Sequence, residues 1–283
     1  MKLLRPALLS LLCAAGLAQA APPARVVGLG GAVTEIVYAL DAGKTLVGAD
    51  SSSIYPASAL KLPKVGYYRS FSVEGIASLK PDLVLASDQS GPPQALEQVR
   101  KLGSKVVTLP SEPTIEALDQ RIIGTANALE MPERGRALVD KLHAELRDIK
   151  PVSGTVRVLM VSSHTGKMQA VGADTAGNAM LKLAGATNVL GNQTGFKPFS
   201  AEAAAALKPD VIVTTTMSVG ASGSAEAFLA QPGLNATPAA RNKRIVVMDD
   251  LLLLGFGPRL PEALRLLQTG LVSAPTSPPS AAR

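Results

Sequence analysis

Phe71-Ser72-Val73-Glu74 is followed by Leu79-Lys80-Pro81-Asp82, and Phe199-Ser200-Ala201-Glu202 is followed at the same interval by Leu207-Lys208-Pro209-Asp210. Each copy runs into a strand-like stretch, residues 83–85 in the first and 211–213 in the second. The repeat predicts one chain with two similar α/β lobes, each presenting a glutamate at the start of a helix. Gly66-Tyr67-Tyr68-Arg69 stands just before the first copy, and Gly195-Phe196-Lys197, without a tyrosine, before the second. A two-lobed clamp is expected, with the ligand chemistry where the copies differ.

Strands alternate with helices through the rest of the chain, which predicts parallel sheets. Strands are expected at 25–29, 46–48, 106–109, 156–161 and 245–248, with helices at 34–40, 176–183, 201–207 and 261–271. Gly28-Leu29-Gly30-Gly31 is faintly like a dinucleotide fingerprint, but Val33 stands where the third glycine belongs. A tight strand-to-helix turn is the expectation there. Ile115, Leu118, Ile122 and Leu129 recur at helical spacing. After Pro132, a residue suited to a helix first turn, Leu138, Leu142, Leu146 and Ile149 continue the pattern. This second helix, about 26 Å long, reads as a rigid link. The expected division is an N-terminal lobe at 21–131, the linking helix at 132–150, a C-terminal lobe at 151–271, and a disordered Pro/Ser/Ala tail at 272–283.

The N-terminus reads as an export signal. Lys2 and Arg5 make a basic start, residues 8–17 are apolar, and Ala18-Gln19-Ala20 is a small-x-small cleavage pattern. The apolar run is too short to span a bilayer. Cys13 is the only cysteine, and Leu12 before it is not the small residue of a lipoprotein signal. Cleavage after Ala20 leaves no thiol, which excludes disulfides and cysteine chemistry. The expectation is a soluble periplasmic monomer, not inserted in the membrane. Its 28 basic and 22 acidic residues are interleaved, which argues against nucleic acid as a partner. Aromatics make up only 3%, so any exposed tyrosine is informative.

Lys64-Val65-Gly66-Tyr67-Tyr68-Arg69-Ser70-Phe71-Ser72-Val73-Glu74-Gly75 carries a family resemblance, supported by segments 31–40, 173–180, 237–242 and 255–259. The chain resembles periplasmic haem-binding proteins of haem-uptake ABC transporters. These belong to the helix-linked, siderophore- and cobalamin-type class III periplasmic binding proteins. The resemblance implies two Rossmann-like lobes joined by one long helix. It implies ferric haem b as transported ligand between the lobes, and Tyr67 as axial ligand to its iron. It also implies that Glu74 and Glu202 dock the lobes onto arginines of an inner-membrane ABC permease dimer, which works with its ATPase.

The chemistry of the residues fits that implication. A phenolate is a hard anionic oxygen ligand that favours ferric iron, and a bound ferric ion deprotonates a phenol far below its usual pKa of about 10. Arg69 suits either the phenolate or a haem propionate. The alternative is a loop tyrosine packed on the lobe beside a solvated arginine. If residues alternate in an extended loop, only one of Tyr67 and Tyr68 faces the cleft; family position favours Tyr67. Tyr55 and Met217 are further pocket candidates, Met168 a porphyrin contact or gap-filler, and His164 a second axial ligand. Lys197, placed as Tyr68 is in the first copy, and Arg259 are propionate candidates, with loop packing the other reading for Arg259. Tyr38 reads as core, and His143 as exposed on the linking helix. For Glu74 and Glu202 the plain reading is helix-dipole complementarity, worth about 0.3–1 kcal/mol.

Two other functions compete. The same fold would accept a ferric siderophore or cobalamin, against which stand the scarcity of aromatics and Gly66-Tyr67-Tyr68-Arg69. A bare-metal receptor would need several His and carboxylates, and the chain has two His. An enzyme is not expected: the sequence has no Ser-His-Asp arrangement, nucleophile elbow or zinc-ligand pair.

Overall fold

The computed structural model describes residues 22–152, 155–163 and 167–273. The expected signal segment, the tail beyond Ser273 and His164 lie outside the described residues. The first lobe runs β1 (Val26–Leu29), α1 (Gly31–Ala39), β2 (Leu46–Ala49), β3 (Gly66–Tyr67), β4 (Ser70–Phe71), α2 (Val73–Ser78), β5 (Leu83–Ser87), α3 (Pro93–Lys101), β6 (Lys105–Leu109) and α4 (Ile115–Ala128). Its sheet has the order β2-β1-β5-β6, all parallel. β1 and β5 are apolar end to end and wholly buried, as strands covered on both faces must be. β3 and β4 form a separate two-stranded hairpin.

The linking helix α5 (Pro132–Arg147) has proline in its first turn. It stops three residues short of the expected 150, because Pro151 disfavours helical backbone at the residue before it. His143 is not simply exposed as read: its Nε2 lies 2.7 Å from Asp119 Oδ2 on α4, tying the two helices together.

The second lobe contains β7 (Arg157–Ser162), β8 (Gln169–Val171), α6 (Ala176–Ala184), β9 (Thr187–Asn188), β10 (Phe196–Pro198), α7 (Ala201–Leu207) and β11 (Val211–Thr215). It continues through α8 (Thr216–Ser222), α9 (Ala225–Leu229), α10 (Pro238–Arg241), β12 (Ile245–Met248), α11 (Asp250–Leu254) and α12 (Leu260–Ser273). Its central strands β9, β7, β11 and β12 are parallel. β8 and β10 are not: β8 pairs antiparallel with β7, and β10 pairs antiparallel with β8.

The repeated motif has the same local structure in both lobes. Asp82 accepts from the Arg25 amide at 3.0 Å while Arg25 Nη2 donates to Leu79 O at 2.6 Å. Asp210 accepts from the Arg157 amide at 2.9 Å while Arg157 Nη2 donates to Leu207 O at 2.8 Å. Lys80 and Lys208 both take positive φ, 46° and 45°. Leu-Lys-Pro-Asp thus ends a helix and starts a strand in each lobe. Each sheet buries one face in a core of its own lobe, and a third apolar core runs through both lobes along α5.

Candidate functional site

The β3–β4 hairpin stands at the carboxyl edge of the first sheet, where open α/β sheets bind ligands. Val65 N donates to Ala49 O at 3.1 Å and Ser51 N to Gly66 O at 2.8 Å, extending β2 alongside the hairpin. Gly66 adopts φ +101°, and a Cβ there would lie 3.2 Å from Phe71 Cα, so the turn into the hairpin requires glycine. Tyr68 is clamped on both sides of its backbone. Its amide donates to Asp50 Oδ2 at 3.3 Å, and its carbonyl accepts from Gly91 N at 3.0 Å.

The two tyrosines have different environments. Tyr67 is 43% exposed. Tyr68 is half-buried against the core of its lobe. Their rings meet edge to face with centroids 4.6 Å apart, and the Arg69 guanidinium lies 5.3 Å over the Tyr68 ring. Burial above all, aided by hydrogen bonding to Tyr67, pushes the Tyr68 phenol up to about 12. Burial and these ring contacts leave Tyr67 the more accessible phenol of the pair.

Asp50 organises the ground beneath the hairpin. It is fully buried and accepts from Gly30 N at 2.9 Å, Ser53 Oγ at 2.8 Å, and both the amide and hydroxyl of Ser52 at 2.9 and 2.6 Å. Ser52 Oγ in turn accepts from Gly31 N at 2.9 Å. The glycine-rich turn therefore offers its first amides to the protein's own side chains, not to a phosphate.

In the second lobe, Phe196 and Met217 are 47% and 51% exposed. Counted from Glu74 to Glu202 the repeat offset is 128, which sets Phe196 opposite Tyr68 and Lys197 opposite Arg69. This corrects the register that matched Lys197 to Tyr68. Phe196 is the residue the sequence reading passed over, and the glutamate-to-glutamate offset was the signal for it. Lys197 is half-buried in β10, paired with Ala170. Met168 is half-buried in the second lobe's core, the gap-filling alternative.

Tyr55 and Arg259 are brought together. Arg259 Nε and Nη2 donate to the two carboxylate oxygens of Glu35 at 2.8 and 3.2 Å, and its guanidinium lies 3.5 Å from the Tyr55 ring centroid. The trio spans the two lobes and lines a cavity of about 450 Å³ with Tyr38, Leu138 and Glu262. Its side chain is committed to Glu35, so Arg259 stitches the lobes and does not stand free for a propionate. Burial raises the Glu35 pKa more than Arg259 lowers it. Burial works against the Arg259 charge, but Glu35 overcomes it and leaves the guanidinium above its ordinary value. A second stitch is Arg121 Nη1, buried on α4, which donates to Phe256 O at 3.0 Å.

Glu74 and Glu202 sit in matching caps. Ser72 Oγ accepts from Gly75 N at 2.9 Å and donates to Glu74 Oε2 at 3.3 Å. Ser200 Oγ accepts from Ala203 N at 3.3 Å and donates to Glu202 Oε2 at 3.1 Å. Its own amide and Ser200 hold the Glu202 carboxyl below the ordinary range. Both glutamates are exposed. Ser224 and Glu226 begin α9 in the same way, so the cap is a general helix-start device here and becomes special only by position.

Among the described residues, no three His, Cys, Asp or Glu side chains gather to hold a metal ion, and no helix is long and apolar enough to cross a membrane. Residues 26–252 match the family model described as periplasmic binding protein. The periplasmic haem-binding protein BhuT, in complex with two haems, is 41% identical, with a TM-score of 0.83 over 88% of this chain and 98% of that one. The periplasmic haem-binding protein RhuT from Roseiflexus sp. RS-1, in apo form, is 38% identical, with a TM-score of 0.84 over the same shares of both chains, 88% and 98%. An uncharacterised ABC transporter substrate-binding lipoprotein of Bacillus subtilis, YvrC, is 32% identical over 255 residues, 87% of this chain and 79% of its own. A vitamin B12-binding protein of Photorhabdus laumondii is 28% identical over 197 residues, 68% of this chain and 71% of its own. These relatives bind substrates for transport and are not enzymes. With the matched span covering both sheets, the chain belongs to the periplasmic binding protein family, in its two-lobed, helix-linked class.

Proposed function

We propose that this protein captures ferric haem b between its lobes through the Tyr67 phenolate and delivers it to an inner-membrane ABC permease dimer with its ATPase. The observation that carries the reading is the division of labour in the hairpin. Tyr67 is exposed at the end of β3 beside exposed Arg69, while Tyr68 is held half-buried against the core of its lobe. Phe196 and Met217 offer apolar surface from the second lobe for the macrocycle. The two lobes are taken as residues 21–131 and 151–271, the mature chain as starting after cleavage at Ala20, and the protein as a monomer. Exposed Glu74 and Glu202, in equivalent caps on equivalent helices, suit a two-fold permease that needs two equivalent contacts.

A haemin titration of wild type beside Tyr67→Phe tests the ligand. The expected result is saturable binding with a ferric tyrosinate spectrum that the variant lacks. Saturable binding with an unchanged spectrum in Tyr67→Phe would move the iron ligand elsewhere. The Glu74→Ala, Glu202→Ala double variant should keep haem affinity and lose transport; a normal transport rate removes the docking reading. Similarity to vitamin B12-binding proteins supports cobalamin as the second reading. In that case cobalamin binds saturably, haemin does not, and Tyr67→Phe has little effect on affinity.

A further inference from the structure

We propose that Tyr68 is the positioning residue of this site: without binding iron, it fixes the direction in which Tyr67 and Arg69 leave the hairpin. The inference rests on Tyr67 being the iron ligand and assigns a separate task to its neighbour.

Three observations converge on Tyr68. Its backbone is held at both ends, by the Asp50 carboxylate on one side and the Gly91 amide on the other. Asp50 is itself immobilised, because the Gly30 amide, Ser52 and Ser53 all donate to it. The clamp therefore ties the hairpin to the buried β1–α1 turn. The ring then serves both neighbours: its half-buried body rests on the lobe's core, Tyr67 meets it edge to face, and Arg69 lies over it. Ring contacts of this kind have preferred geometries and limit the rotamers of both partners. Two long side chains at an exposed tip would otherwise lose rotamer freedom only when ligand arrives, and affinity would fall by that cost. In the second lobe the matching position is Phe196, exposed and with no hydroxyl. The scaffold repeats there, but the positioning device does not.

The test compares haemin binding by the full mature chain in wild type, Tyr67→Phe, Tyr68→Phe and Tyr68→Leu. Affinity and the ferric tyrosinate charge-transfer band are both read. In Tyr68→Leu the affinity is expected to fall about tenfold, as for loss of an aromatic pair with its cation–π contact. The band should weaken with it. Tyr68→Phe, which restores the ring, should recover most of the affinity and of the band. A wild-type affinity and band in Tyr68→Leu overturns the proposal, as does a Tyr68→Phe variant as impaired as Tyr68→Leu. If circular dichroism shows Tyr68→Leu unfolded, Tyr68→Met, which fills the site without a ring, carries the same comparison. A band that survives in Tyr67→Phe and vanishes in Tyr68→Phe makes Tyr68 the ligand, which overturns both this proposal and the Tyr67 assignment. A band lost in Tyr67→Phe and unaltered in Tyr68→Leu overturns this proposal alone.

Discussion

The two lobes share an internal frame and differ at their rims. In each, a serine caps the helix after an edge segment, a glutamate two residues on accepts the serine hydroxyl, and an arginine–aspartate latch closes the strand that follows. At the rim the first lobe raises a separate two-stranded hairpin that carries Tyr67, while the second folds the matching segment into its sheet as β10. Whatever builds a lobe is repeated; whatever the site needs from one side only is not. On the proposed function, one coordination bond needs one oxygen, and the other face of a flat ligand would ask only for apolar surface, such as exposed Phe196 and Met217 offer.

The largest effect should come from the seam that holds the frames together. Arg259→Ala leaves Glu35 buried without its partner, a change that typically costs about 3–5 kcal/mol. Urea unfolding measures it directly. If Arg259 instead served a propionate, haem affinity would fall while unfolding stayed near wild type. The rim comparison comes next. Tyr67→Phe should lower haemin affinity more than about a hundredfold, beyond the 10–100-fold typical of residues that merely support a metal ligand. Phe196→Ala should lower it by only about three- to tenfold. Equal losses would mean that the lobes contribute alike.

Within the frame, Ser72→Ala and Ser200→Ala should each cost about 1 kcal/mol of stability. A clear inequality between them would show that the matching caps are not energetically equivalent. The smallest effect is alkaline. The Tyr68 phenol, raised in the folded state to about 12 from an ordinary 10, contributes stability that is intact below pH 10 and lost as pH rises towards 12. Its half-exposed setting keeps the loss small. Unfolding measured across that range should show a decline in wild type that Tyr68→Phe lacks, since Phe196 leaves the second lobe no counterpart.

Local pattern carried most of the fold. Glu74 and Glu202 marked two helix starts, and buried strands such as 83–85 and 211–213 were readable because both faces are apolar. The linking helix announced itself through Pro132 and the leucines after it. The reversed strands β8 and β10 were missed because three apolar or mixed residues carry no sign of strand direction. The seam was missed for a different reason. Glu35 and Arg259 lie 224 positions apart, and nothing near either residue names its partner. Tyr67 and Tyr68 are chemically identical in the sequence, and only the clamp from Asp50 and Gly91 separates an exposed phenol from a sheltered one. Phe196 was within reach, had the repeat been counted from the glutamates.

Asp50 has a consequence for the company the cleft keeps. Helix starts after glycine-rich turns attract phosphate. Here the protein has seated its own carboxylate and serine hydroxyl on the Gly30 and Gly31 amides. Those two amides are therefore closed to a phosphate without any feature that recognises and rejects it. Selectivity at that corner is a matter of prior occupancy, fixed when the chain folds and independent of what is dissolved around it.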